Sequence, residues 1–375
     1  MAATDKAPEA VSRVNRVVTK ERLLGTESRW RRFGEPTPAG GSLKEDGTPD
    51  YGVFGPGSVA WEVLLHPATI FFQSPAQFIL QLTYKPILAG VRDWDPISRK
   101  ARKGELTIFD LFDRAQRNSG IHTPMWLGDT ATARRVAKHL HNIHAKVAGD
   151  VIDIGHPELG GYDANGPREA MWAALTEMHT MLWVYENLAF RNGRPPRRLP
   201  PEQRDKYIAE VADYCRLFDS PEGEIATTMA ELKALYDKYD ELFKPSRTMG
   251  IIPATGQSFH TIQKASVKKN FHISQLRVHA QLVLSQKIFA YPIMGAASGK
   301  TRRNMGVGPF KDKVAVASTK FMLPLIWLAQ QPCVERRMMR IMWGPDAVKL
   351  IESARALHDR AKQGQLGDAA DEVVA

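Results

Sequence analysis

From Val59 onward, through most of the chain, apolar residues return every three or four positions, the period of a helix with one buried face. Strand signals are scarce, with no succession of alternating runs joined by hairpin turns, and no repeat of fixed period is present. The pattern predicts an all-α fold: a single large multi-helix domain. The 375 residues, 43% apolar and 25% charged, suffice to bury a large core without disulfides or metal staples.

The domain is expected over residues 51–345. Residues 1–50 read as an irregular N-terminal extension, because GEPTPAGGSLKEDGTPDYG is dense in Gly, Pro, Thr and Asp. Residues 346–375 read as a C-terminal helix, from about Asp346 to Gln363, and an acidic, Ala-rich tail. Two loops divide the helical body, a Pro/Arg segment at 190–204 and a second at 244–258.

Only two cysteines occur, Cys215 and Cys333, so no disulfide framework exists and free thiols in a reducing compartment are expected. The opening stretch mixes acids and bases without an apolar run, which is unlike a secretory signal. The longest clean apolar run, Phe321 to Ala329, is far shorter than the roughly 20 residues that span a bilayer. A cytoplasmic location follows as the expectation. The net charge of +10 is spread over several basic clusters and leaves contact with acidic lipid surfaces open. No zinc-finger spacing or RNP-type motif accompanies it, so nucleic acid is not an expected partner.

The most informative segment is ATARRVAKHLHNIHAKVAG, Ala131 to Gly149. Asp129 or Thr130 can cap its start, and Gly149 can end it. Ala133, Val136, Ala137, Leu140, Ile143, Val147 and Ala148 form one stripe, and His144 falls inside it. A histidine there is a hydrogen-bonded core residue, a haem-iron ligand, or one of two zinc ligands with His141, three positions earlier.

The next helix opens at Asn165-Gly166-Pro167 and carries Trp172, Met178 and other apolar residues around most of its circumference. Trp172 and Met178 suit plain core or the wall of a flat apolar ligand. His179 lies in the same helix and is the second candidate ligand. Upstream, LTIFDLFDRAQRN (Leu106 to Asn118) reads as a helix with Arg114 and Arg117 one turn apart near its end. They are helix-end cations, or guanidinium groups reaching a carboxylate or a polar oxygen species.

Five stretches in order carry a resemblance: Phe54 to Trp61; Gln81-Leu82 through Ala89-Gly90-Val91; Arg114 with Arg117; His141 to Gly149; and Gly161-Tyr162-Asp163-Ala164, followed by Trp172. Together they resemble the mpaB-type oxygenases and rubber oxygenases (latex clearing proteins). The resemblance implies a mostly α-helical fold enclosing a haem pocket, a haem b cofactor with His144 as axial ligand, and oxygenation of an apolar, isoprenoid or lipid-like substrate with dioxygen. It places Arg114 and Arg117 on the distal side, Arg117 and Asn118 standing where rubber oxygenases have Lys and Thr. The Trp-x-His of many members is absent here, so no role passes from it to His179. Two other readings stay beside the oxygenase: a non-enzymatic helical protein that binds a lipid or isoprenoid, and a metal-dependent hydrolase using His141 and His144.

Overall fold

Ser58 accepts a hydrogen bond from the backbone N–H of Trp61 and starts the first described helix, α1 (Val59–Leu64). Trp61 is fully buried and its Nε1 donates to the Trp126 carbonyl at 2.9 Å, tying the entry of the chain to a later helix. The computed structural model describes residues 34–366, apart from 151–158, 247–248 and 274–275.

After α1 come α2 (Pro67–Gln81), α3 (Lys85–Trp94), α4 (Pro96–Arg102), α5 (Ile108–Leu127) and α6 (Thr130–His144). A short antiparallel ladder of β1 (Ala148–Gly149) and β2 (Tyr162–Asp163) precedes α7 (Pro167–Leu188), α8 (Pro201–Arg216), α9 (Met229–Lys238) and α10 (Asp240–Phe243). The C-terminal part holds α11 (Phe259–Lys269), α12 (Leu276–Ala296), α13 (Gly299–Asn304), α14 (Pro309–Phe321), α15 (Leu323–Ala329), α16 (Pro332–Met342) and α17 (Pro345–Lys362). Among the described residues that ladder is the only sheet, so the fold is all-α, as the periodicity predicts.

Helix α7 is the centre. Gly166 and Pro167 start it, and it is buried around most of its circumference from Met171 to Leu188. Its long partner is α2. At the other end of the chain, α17 is latched onto α1. Arg355 donates to the Leu65 carbonyl and pairs with Glu335, while Glu62 accepts from Tyr185 Oη at 2.8 Å and meets His358 and Lys362. The hydrogen bond from His358 is the main reason the Glu62 carboxyl titrates well below its usual range. Helices α12 and α14 cross at Gly295, where a Cβ would fall 2.0 Å from the Ala315 carbonyl oxygen. Only glycine admits so close an approach.

Two helix ends differ from the sequence expectation. Helix α5 runs past Asn118 to Leu127, through Pro124, because its last turn buries Met125, Trp126 and Leu127 completely. Helix α6 stops at His144 rather than Gly149. Ala148 and Gly149 give their backbone groups to the ladder with β2, and the Ala148 carbonyl also accepts from Trp94 Nε1 at 2.9 Å. Of the expected extension, residues 34–50 form turns and isolated bridges; 1–33, like the tail beyond 366, lie outside the described residues. No described helix is long and apolar enough to cross a membrane.

Candidate active site

A helical hairpin builds the site. Thr107 and Asp110 form a capping box that starts α5, and Asp129 starts α6 by accepting from the Thr132 N–H at 2.8 Å. Only Gly128 and Asp129 separate the two helices, which therefore run antiparallel. Arg114, in the second turn of α5, comes to lie beside His144, the last residue of α6. Burial, then the Arg114 charge, then His141 lower the pKa of the His144 imidazole. Its ring makes no hydrogen bond among the described residues. The result is a half-buried, neutral imidazole with uncommitted nitrogens.

The burial stripe of α6 is shorter than its sequence pattern. Thr132, Ala133, Val136 and Ala137 face the core, but Ile143 is 51% exposed and His141 lies in solvent. Full burial ends with Ala137; Leu140 still packs against the core and His144 is half-buried, while their neighbours in the last turn are exposed.

Arg114 is held on two sides. Its Nε donates to Asp95 Oδ2 at 2.9 Å and its Nη1 to Asn118 Oδ1 at 3.1 Å. Asp95 uses its other oxygen to cap α4, accepting from the Ile97 N–H at 2.8 Å. Arg117 points elsewhere, into an ion pair with Asp113 at 3.0 Å, with its side chain 43% exposed. The hairpin thus brings together His144 and Arg114 but not Arg117. Asp95 is absent from the sequence reading, because only packing brings it to Arg114.

The clamp behind His144 joins three of the motifs that carry the resemblance. The Gly149 backbone passes so close to Tyr162 that a Cβ would lie 2.9 Å from its hydroxyl. A Cβ on Gly90 would touch Val147 at 3.4 Å and Tyr162 at 3.7 Å. Tyr162 donates to Asp93 Oδ2 at 3.0 Å, and buried Arg92 binds the same carboxylate through Nε and Nη2 at 2.6 Å each. Burial, then Asp93, pushes the Tyr162 hydroxyl up to about 12. Asn165 Nδ2 holds the His141 carbonyl at 3.0 Å, fixing the last turn of α6. The glycines are spaces for one tyrosine, and that tyrosine anchors the exit from the histidine helix.

Residues 61–310 match the family described as ER-bound oxygenase mpaB/B′/rubber oxygenase, catalytic domain. The chain belongs to the mpaB and rubber oxygenase family. It carries that family's oxygenase catalytic domain, running from α1 to the start of α14. No curated protein and no solved structure matches the chain.

The other candidates of this oxygenase lie at a second place. Trp172 is fully buried, with its ring centroid 4.9 Å from that of Tyr236 and 4.8 Å from that of Phe243. Met178 is also fully buried, and its carbonyl accepts from Tyr207 Oη at 2.6 Å. His179 Nδ1 lies 3.1 Å from Tyr236 Oη, and burial pushes its pKa down to about 4. His179, Trp183, Tyr236 and Phe243 line a cleft of about 500 Å³, together with Arg198, Lys233 and Lys300. His144 is not part of that lining. Tyr236 was not singled out in the sequence, where it is one more aromatic of an amphipathic helix.

Haem b, the cofactor implied by the resemblance, asks for a neutral imidazole with a free nitrogen, directed by a helix. His144 meets that requirement, and the Arg114 guanidinium beside it suits a porphyrin carboxylate. Among the described residues no group of three or more His, Cys, Asp or Glu side chains is placed to hold a bare metal ion.

Proposed function

We propose that the chain is a haem b-dependent oxygenase that acts on an apolar, isoprenoid or lipid-like substrate with dioxygen, and that His144 is the axial ligand. The observation that carries this reading is the half-buried His144 imidazole, neutral and without a hydrogen-bond partner among the described residues, next to a fixed arginine. When bound, haem supplies the iron at which dioxygen is activated.

The protein's own contribution is position and charge. The clamp of Tyr162, Gly149 and Gly90 holds the end of α6, and with it the direction of the His144 ring. The lowered pKa of His144 keeps its lone pair free of a proton near neutral pH. Asp95 and Asn118 fix Arg114, whose Nη2 has no partner among the described residues and is left to bind a carboxylate or a polar oxygen. Arg117 serves the outer face of α5 in this reading, and His179 stays a second-choice ligand. Trp172 and Met178 belong to the buried core of α7 in this reading. The functional unit spans residues 51–345. Free Cys215 and Cys333 suit a reducing compartment, the cytoplasm in this reading.

The test is the pyridine haemochrome assay on protein purified from haem-supplemented cells. One b-type haem per chain is expected, and a protein without porphyrin under those conditions overturns the reading.

One observation favours a second reading. The cleft beside His179, walled by Leu80, Met229, Leu232 and Phe243, fits the size of a small-molecule site and is apolar. A helical lipid- or isoprenoid-binding protein without haem would use it, and would purify colourless with an apolar molecule bound.

A further inference from the structure

Helix α14 has two unlike faces. Its inner face packs on α12: Ala315 is fully buried, and Thr319 Oγ1 donates to the Pro292 carbonyl at 2.8 Å. Its outer face carries Phe310, Val314, Ala317 and Phe321, which fall on one stripe at helical spacing. Phe310 is 79% exposed and Phe321 is 90% exposed. The next helix, α15, continues the surface with Pro324, Trp327 and Leu328, all exposed and again one turn apart. Two phenylalanines and a tryptophan in water on adjoining helices form an apolar patch that a soluble partner-free surface does not need.

The charge along this stretch of chain is mostly of one sign. Between Pro309 and Arg340 the sequence holds six cations, Lys311, Lys313, Lys320, Arg336, Arg337 and Arg340, and two carboxylates. Both carboxylates are engaged, Asp312 by Arg302 and Glu335 by Arg355, and of the cations Arg336 pairs with Glu352. The three lysines of α14 are exposed and flank the aromatic stripe. Exposed aromatic side chains beside lysines whose ammonium groups extend past an apolar stem are the composition of a helix lying in a bilayer interface.

We propose that α14 and α15 dock the protein peripherally on an anionic lipid bilayer, with Phe310, Phe321 and Trp327 inserted at the level of the headgroups and Lys311, Lys313 and Lys320 facing lipid phosphates. No described helix is long and apolar enough to cross a membrane, and the proposed contact is made by the surface of α14 and α15. The docking helices lie almost wholly outside the matched stretch, residues 61–310, and the inference stands whether or not His144 binds haem. Net positive charge favours the approach to acidic lipid, and salt weakens it.

The experiment is cosedimentation of the full chain with phosphatidylcholine vesicles, without and with about 30 mol % phosphatidylserine. Wild type is expected to bind the anionic vesicles at least about tenfold more tightly than the neutral ones, and to release in high salt. The paired change Phe310→Ser with Phe321→Ser removes most of that binding while the circular dichroism spectrum is kept. The triple change Lys311→Glu, Lys313→Glu and Lys320→Glu removes the preference for phosphatidylserine. A blue shift in emission on binding, lost in Trp327→Phe, places Trp327 in the interface. Equal, weak binding to both vesicles overturns the proposal, as does full binding by the Phe310/Phe321 variant. Sedimentation equilibrium supplies the remaining contradiction: a dimer that Phe321→Asp dissolves would show that a second copy, not lipid, covers the patch.

Discussion

Arg114 and His144 lie side by side at the open end of the α5–α6 hairpin, and the arginine's charge adds to burial in holding the imidazole neutral. The pairing follows from a two-residue turn between two antiparallel helices, and the position of Arg114 is fixed further by Asp95 and Asn118. A cation beside a histidine that has no hydrogen-bond partner among the described residues is poor design for a core and good design for a site that takes an uncharged ligand face and an anion.

Replacing Arg114 by Gln removes the second cause of the lowered His144 pKa and leaves the first, burial. The His144 pKa is expected to rise toward its ordinary value of 6.5 without reaching it. Proton NMR titration of the haem-free protein reads this directly. A pKa that stays put, or falls, contradicts the pairing.

The two arginines of α5 separate in stability as well. Arg117 meets Asp113 at the surface, so Arg117→Ala should cost within about 0.5 kcal/mol. Asp95→Ala takes away both the cap of α4 and the anchor of Arg114, and should cost about 1–2 kcal/mol. Urea denaturation of the two variants gives the order. Equal losses would mean that Asp95 does not hold Arg114.

Gly149→Ala places a methyl group 2.9 Å from the Tyr162 hydroxyl. The ladder behind α6 has to open or Tyr162 has to leave Asp93, at a cost of about 1–3 kcal/mol. Chemical denaturation checks the magnitude. A neutral substitution would show that the close approach is not a constraint.

Two half-buried histidines, His66 and His179, set an acid limit on the fold. His66 and His179 both have pKa values pushed down to about 4, chiefly by burial, against an ordinary value of 6.5. Between those values the unfolded chain binds protons that the folded chain refuses, so stability falls as pH drops from about 6.5 to about 4 and is unaffected by these groups above that window. His66 shows why: its Nδ1 accepts from the Ala68 N–H at the start of α2, and its Nε2 faces the Phe190 carbonyl, which commits the ring to one neutral tautomer. Thermal melts across this range should steepen in wild type and flatten when both residues are Gln. A flat wild-type profile contradicts the account.

The helical period made the fold class legible, and the signals at Asp129 and Gly166-Pro167 made two helix starts legible, because these signals are local. Helix ends were less so. Gly149 reads as a terminator in sequence, yet its backbone pairs across the ladder with Tyr162, thirteen residues on, which no local pattern announces. His144 was legible from its place in the α6 stripe together with the family motif, and Arg114 from the motif alone. Asp95, Asn118 and Tyr236 were not, since each acts through a side chain brought near by packing rather than by spacing along the chain. The exposed stripe of α14 shows the converse. Its apolar period reads as core in sequence, and only the packing of Ala315 on Gly295 reveals that Phe310 and Phe321 face outward.

The absorption spectrum of His144→Ala beside that of wild type tests the central assignment most directly. The account predicts a Soret band in wild type that is lost in the variant, with helical circular dichroism unchanged. A variant that keeps a full complement of haem and the wild-type spectrum would contradict it.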